Sequence, residues 1–273
     1  MRYLARTADG DALLGDDEGF VPLPSAAPEH ATVRDALPAA AAGTLPDPDA
    51  ATSDRVPREN HTLGAFVEEP GKLFGIGLNY VEHAGDLSED APEEPASFFK
   101  PRSAATGPGG PIRLPPESIS ERVTAEAELA VVIGRTCRNV DVADADDVIA
   151  GYVPVIDMTA EDVLQRNPRF LTRAKSFDTF LVLGPHLAMP EPGTDLSETT
   201  VRTVIDGETV AENVVDNMTF SPRELVAYHS DVMTLEPGDV ISTGTPGAGV
   251  IEPGSHVRAT VEGIGSVAAD VVR

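Results

Sequence analysis

The chain has 273 residues, enough for a full-sized core, and sets 45 acidic side chains against 20 basic ones, a formal charge of −25. That balance excludes a nucleic-acid binder working through a basic face, and the single cysteine, Cys137, excludes an intramolecular disulfide scaffold. The acids are dispersed, which sets aside an acidic tail, and Lys72, Lys100 and Lys175 are the only lysines, a surface suited to an intracellular protein of a salt-loving organism whose cations screen self-repulsion.

In chain order, Tyr3-Leu-Ala5, Ala12-Leu-Leu14 and Phe20-Val-Pro22 read as short strands, with Asp9-Gly10 as a hairpin turn. One helix is predicted near Thr32 to Ala42, then a loop through Pro46-Asp-Pro-Asp49. Residues 1–67 are assigned to a small N-terminal subdomain and linker, and residues 68–273 to the main domain. There Lys72-Leu-Phe-Gly-Ile-Gly-Leu-Asn79 reads as a strand, and Asn79 as the cap of a helix that aligns Tyr80, His83 and Asp86 on one face. Gly75 and Gly77 lack the third glycine and the following pattern of a dinucleotide site. Ala96-Ser-Phe-Phe-Lys100 is a strand stopped by Pro101.

Residues 123–134 alternate as a strand, so Glu126 and Glu128 project from one face about 7 Å apart, at the polar mouth of an apolar interior. Two like charges at such a mouth repel unless a cation or donor cluster answers them. A short acidic helix is expected within 142–151, a strand over Tyr152 to Asp157 that ends on its carboxylate, and a helix from Thr159 to about Gln165. Farther on come a hairpin on Asp206-Gly207, a helix over Pro222 to Thr234, and the similar turns Leu235-Glu-Pro-Gly-Asp239 and Ile251-Glu-Pro-Gly-Ser255, each leading into a strand. Short strands between frequent turns favour an α+β, β-rich roll or barrel. No basic segment precedes an apolar leader and no apolar run approaches spanning length, so a soluble cytoplasmic protein is expected.

Glu126, Glu128 and Asp157 offer hard oxygen donors suited to Mg²⁺ or Mn²⁺, with Ca²⁺ as a substitute, and three protein oxygens would leave positions open for water or substrate. A plain acidic strand end is the alternative. His83 and Asp86 form a candidate base and orienting partner. His30, His61, His186, His229 and His256 read as structural. Lys175 stands out as a lysine in an apolar setting.

In order, Gly77-Leu-Asn-Tyr-Val-Glu-His83, Phe99-Lys-Pro101, Glu126-Ala-Glu128, Asp157-Met-Thr-Ala160, Ala174-Lys-Ser-Phe-Asp178 and Pro237-Gly-Asp-Val-Ile-Ser-Thr-Gly-Thr-Pro246 resemble the fumarylacetoacetate hydrolase family over roughly residues 70–273. The resemblance implies a divalent metal on Glu126, Glu128 and Asp157 and an enolate-stabilising Lys175. It further implies water activation by His83 with Asp86, substrate contacts at Tyr80, Lys100 and Thr245, and a homodimer acting on a small 2-oxo acid, with no nucleic-acid or membrane partner. The reaction implied first is hydrolysis of a C–C bond in an acylpyruvate or fumarylpyruvate. Decarboxylation, isomerisation of a 2-hydroxydienoate and dehydration of a 2-oxo-3-deoxy sugar acid are the alternatives within the family. The chain departs from the family pattern at Asp86, where Glu is usual. It departs again at Glu161-Asp-Val-Leu164, where Arg-Asp and a later Gln are common, and at Ser255. Asp86 and Leu164 motivate a further alternative, a metal-binding but catalytically silent member.

Overall fold

The computed structural model describes residues 1–80, 92–191 and 193–273. Its strands are β1 (Arg2–Arg6), β2 (Ala12–Asp16), β3 (Gly19–Pro22), β4 (Leu73–Gly77), β5 (Ala96–Lys100), β6 (Ala105–Thr106), β7 (Ile112–Arg113), β8 (Val123–Ile133) and β9 (Ile149–Ala160). The chain continues with β10 (Leu181–Leu183), β11 (His186–Met189), β12 (Thr200–Ile205), β13 (Glu208–Val214), β14 (Val240–Ser242), β15 (Ala248–Ile251), β16 (His256–Val261) and β17 (Gly265–Val272). The larger sheet runs β3-β2-β1-β11-β9-β8-β14-β4-β5, with β15 on β8, β10 on β9 and β6 on β10, and a second runs β13-β12-β16-β17-β7. Neither sheet closes, so the expected roll or barrel is realised as two open sheets.

β8 and β9 are the spine. Every residue of both strands is buried, and they pair antiparallel from Val123↔Ala160 to Ile133↔Ile149, with Glu126 directly opposite Asp157. Parity then sorts the side chains. Val123, Ala125, Ala127, Leu129, Val131 and Ile133 enter the core shared with the smaller sheet, which contributes Val201, Val257, Ala259 and Val267. Ala130 and Val132 enter a separate core with Val153, Val155, Leu4, Leu14 and Leu37. Glu126 and Glu128 share the parity of Ala130, and so lie on the sheet face turned away from the smaller sheet.

The N-terminal strands form at the short apolar runs expected around the turns, and β1 pairs with β11, which joins residues 2–22 to the larger sheet. The helix Val33–Ala41 starts at a capping box in which Thr32 accepts from the Asp35 amide and Asp35 accepts from the Thr32 amide. Asp206 and Gly207 turn β12 into β13 with φ of 53° and 87°, the geometry a two-residue hairpin turn demands. Ser221 and Glu224 box the start of the helix Pro222–Val232. No helix among the described residues is long and apolar enough to cross a membrane.

Two local expectations are corrected. The strand expected to end at Asp157 runs on to Ala160, and its helix begins at Glu161, because Thr159 stays in register with Thr124 and donates its hydroxyl to Glu126 at 2.5 Å. The acidic helix is a 3-10 segment, Val142–Asp147. Asn79 ties distant segments together: its amide donates to Phe220 O (2.9 Å) and Thr243 O (2.7 Å), and its Oδ1 accepts from the Phe220 amide at 2.9 Å, while the helix it is expected to cap lies outside the described residues.

Candidate metal centre

Antiparallel register brings Glu126 and Asp157 face to face, and the two-residue step along β8 adds Glu128. Carboxylate oxygens of the three lie within 4.8 Å of one another. The expected polar mouth is in fact enclosed: Glu126 is 8% exposed, Glu128 2% and Asp157 0%.

Two lysines answer the charge. Lys175, at the end of the helix Leu171–Lys175, donates to Glu126 Oε2 at 2.8 Å and to Asp157 Oδ2 at 3.0 Å. An ammonium has three N–H donors, so one remains for a further acceptor. Burial opposes the charge on Lys175, but Asp157, Glu126 and Glu128 outweigh it and hold the ammonium well above the ordinary lysine range.

Lys100, from the end of β5, pairs with Asp157 Oδ1 at 2.5 Å and donates to Phe180 O at 2.8 Å and to Lys175 O. With its side chain only 2% exposed and its donors committed, Lys100 grips Asp157 and the chain that carries Lys175. Burial, with repulsion from Lys175, pushes its amine below the usual range despite the attraction of Asp157.

Glu128 has no lysine of its own. Ser242 Oγ and the Gly244 amide each donate to its Oε2 at 2.7 Å. Gly244 reaches it at φ 97°, and a Cβ there would sit 2.9 Å from Asn79 Cβ, so the position requires glycine. Burial, then repulsion from Asp157 and Glu126, pushes the Glu128 carboxyl up to about 8, with Lys175 and Ser242 opposing. With all three carboxyls ionised, the two ammonium groups leave the enclosure one positive charge short. Asp157 Oδ1, although close to Lys100, lacks a properly directed hydrogen bond.

An all-oxygen donor set, convergent within 4.8 Å and short of positive charge, fits a hard dication. Glu126, Glu128 and Asp157 would hold it.

The other expected site residues fall elsewhere. Tyr80 is fully buried in the apolar core with an unpartnered hydroxyl, and burial, reinforced by the charge of Glu128, pushes its phenol upward. Thr245 is buried in the turn after β14, where its hydroxyl donates to Gly247 O at 2.9 Å. His83 and Asp86 lie outside the described residues. His186 is buried and pushed down to about 4 by desolvation, in keeping with a structural role. Thr159, Ser242 and Gly244 were not singled out in the sequence. Thr159 had a signal, since it shares the parity of Asp157, whereas Ser242 and Gly244 reach Glu128 only because β14 pairs with β8.

A family model described as "Fumarylacetoacetate (FAA) hydrolase C-terminal" matches residues 72–272. The mitochondrial oxaloacetate tautomerase of Xenopus laevis is 37% identical over 224 residues, covering 79% of this chain and 70% of that protein. The crystal structure of 2-hydroxyhepta-2,4-diene-1,7-dioate isomerase from Mycobacterium marinum aligns with a TM-score of 0.79 and 33% identity, covering 100% of this chain and 99% of that one. Maleylpyruvate hydrolase from Sphingobium sp. SYK-6, in complex with manganese(II) and pyruvate, aligns with a TM-score of 0.79 and 27% identity, covering 100% and 99%.

Proposed function

Because the chain belongs to the fumarylacetoacetate hydrolase family, whose members include hydrolases, isomerases and tautomerases, we propose that it hydrolyses a C–C bond in a 2,4-dioxo acid of the acylpyruvate type with Mg²⁺ or Mn²⁺ as cofactor. The observation that carries this reading is the convergence of Glu126, Glu128 and Asp157 within 4.8 Å, with Lys175 bridging two of them. When bound, the dication supplies Lewis-acid polarisation of the 2-oxo acid end of the substrate.

The chain's own residues do the rest. Lys175 directs its remaining N–H toward the 2-oxo oxygen, and its charge offsets the negative charge that grows there as the bond breaks. Lys100 fixes the position of that ammonium through the Lys175 carbonyl. His83, oriented by Asp86, takes a proton from the water that attacks the distal carbonyl. The bond between C3 and C4 breaks, its electron pair stays with the pyruvate half and is protonated at C3, and the other half leaves as a carboxylate. Thr245 is assigned to the substrate's carboxylate end, and Tyr80 to a further substrate contact.

A second reading, isomerisation or tautomerisation of a 2-oxo acid, is favoured by the names of the Xenopus and Mycobacterium marinum relatives. It uses the same carboxylates and Lys175 but no attacking water. Purified protein with Mn²⁺ is offered acetylpyruvate, fumarylpyruvate and enol-oxaloacetate, while pyruvate is followed by coupled NADH oxidation and enol loss by ultraviolet absorbance. Pyruvate release from a dioxo acid is expected. Loss of enol without pyruvate from any dioxo acid transfers the assignment to the second reading.

A further inference from the structure

The polar parity of β8 continues outward past the carboxylates. Glu128 and Glu126 are followed on the same face by Thr124 and then by Arg122, while β9 matches them with Asp157, Thr159 and Glu161. Pairing persists one step beyond the strand ends, since the Glu161 amide donates to Arg122 O at 2.9 Å. Arg122 stands four residues from Glu126, about 13 Å along the strand at 3.3 Å per residue. A six-carbon 2-oxo acid and an arginine side chain together span that gap.

Arg122 is built into place. Its Nε donates to Glu161 Oε2, and Glu161 Oε1 accepts from Gln165 Nε2 at 3.0 Å. The backbone beneath it is tied to the helix Glu161–Arg166: Ser120 Oγ donates to Asp162 Oδ1 at 2.5 Å, and Arg166 Nη2 donates to Ile119 O at 2.9 Å and Asp162 Oδ2 at 3.3 Å. The Arg122 side chain is half exposed, at 52%, and its Nη1 and Nη2 have no partner among the described residues. Glu161 thus fixes the plane of a fork whose two outer nitrogens are free, the geometry that receives a carboxylate through two parallel hydrogen bonds.

We infer that Arg122, held by Glu161, is the subsite for a distal carboxylate, so that the substrate is a 2-oxo dicarboxylic acid. The inference rests on the 2-oxo acid reading above. Glu161 acts as a positioning residue, and Arg122 touches the ligand.

The test uses binding, which does not depend on which reaction the site performs. Two unreactive probes of equal chain length, 2-oxoadipate and 2-oxohexanoate, are titrated calorimetrically into the Mn²⁺-loaded protein and into Arg122→Gln. Wild type is expected to prefer 2-oxoadipate about tenfold or more, the scale of a hydrogen bond between charged groups. Arg122→Gln is expected to reduce that preference to about twofold or less while 2-oxohexanoate affinity stays put. Equal affinity for both probes in wild type, a preference for 2-oxohexanoate, or an equal loss for both probes in Arg122→Gln overturns the subsite while leaving the 2-oxo acid reading standing. Failure of both probes to bind wild type overturns the 2-oxo acid reading itself and the subsite with it.

Discussion

Replacing Lys100 with methionine tests how the centre is held together. The substitution keeps the length and apolar stem of a side chain that is only 2% exposed, but it removes the ammonium 2.5 Å from Asp157 and the donor to Phe180 O and Lys175 O. Asp157, fully buried, then relies on Lys175 alone. Breaking one partner out of a buried ion pair costs about 3–5 kcal/mol, and the orphaned carbonyls contribute within the same range. With about 2.1 cal/mol/K of unfolding entropy per residue, 273 residues give roughly 0.6 kcal/mol/K, so a loss of about 4 kcal/mol lowers Tm by about 7 °C. The assay is calorimetric melting of Lys100→Met and wild type in chelator, then with excess Mn²⁺. Because a dication replaces the missing charge beside Asp157, the gap between the two proteins is expected to shrink by about half or more with metal. A melting point within about 1 °C of wild type in chelator would refute the reasoning, since it would mean that Asp157 does not depend on Lys100.

Glu128 makes the metal-free centre pH-sensitive. The fold favours its neutral form, so the stability this group contributes is complete below the ordinary carboxyl value of 4.5 and is lost as pH rises through about 8. Metal-free protein should therefore melt higher at pH 6 than at pH 9, while Mg²⁺ affinity should weaken by up to about tenfold per unit as pH falls below 8. Flat affinity between pH 6.5 and 9 in calorimetric titration would contradict this. Ser242→Ala removes a 2.7 Å donor to the ionised form and should move the fall in affinity upward by about one unit; an unmoved midpoint would deny Ser242 its role. Away from the centre, Gly71→Ala would place a Cβ 2.2 Å from Asp239 Oδ1, a carboxylate that accepts from the Lys72 and Glu236 amides at 2.7 and 2.8 Å. A loss of about 2–3 kcal/mol is expected in denaturant unfolding, and an unchanged midpoint would show that the turn yields freely.

The sequence by itself determined the local elements, because their signals are local. The period-two alternation of residues 123–133 marked β8, Pro101 marked the end of β5, and Asp206-Gly207 marked the hairpin. It also determined which residue types could hold a dication, since Glu126 and Glu128 share a face by parity alone. Tertiary structure decided how those residues meet. Only the antiparallel register sets Asp157 opposite Glu126 and carries Thr159 past the expected strand end, and register depends on pairing across the chain. The pairing of β14 with β8 turned Ser242 and Gly244 toward Glu128, and the return of the helix Leu171–Lys175 and the end of β5 brought Lys175 and Lys100 onto Asp157 from opposite sides of the sequence. Charge at a buried centre is balanced by whichever groups the fold brings within a few ångströms, and in the low dielectric of that enclosure those neighbours, rather than composition, set the state of each carboxylate.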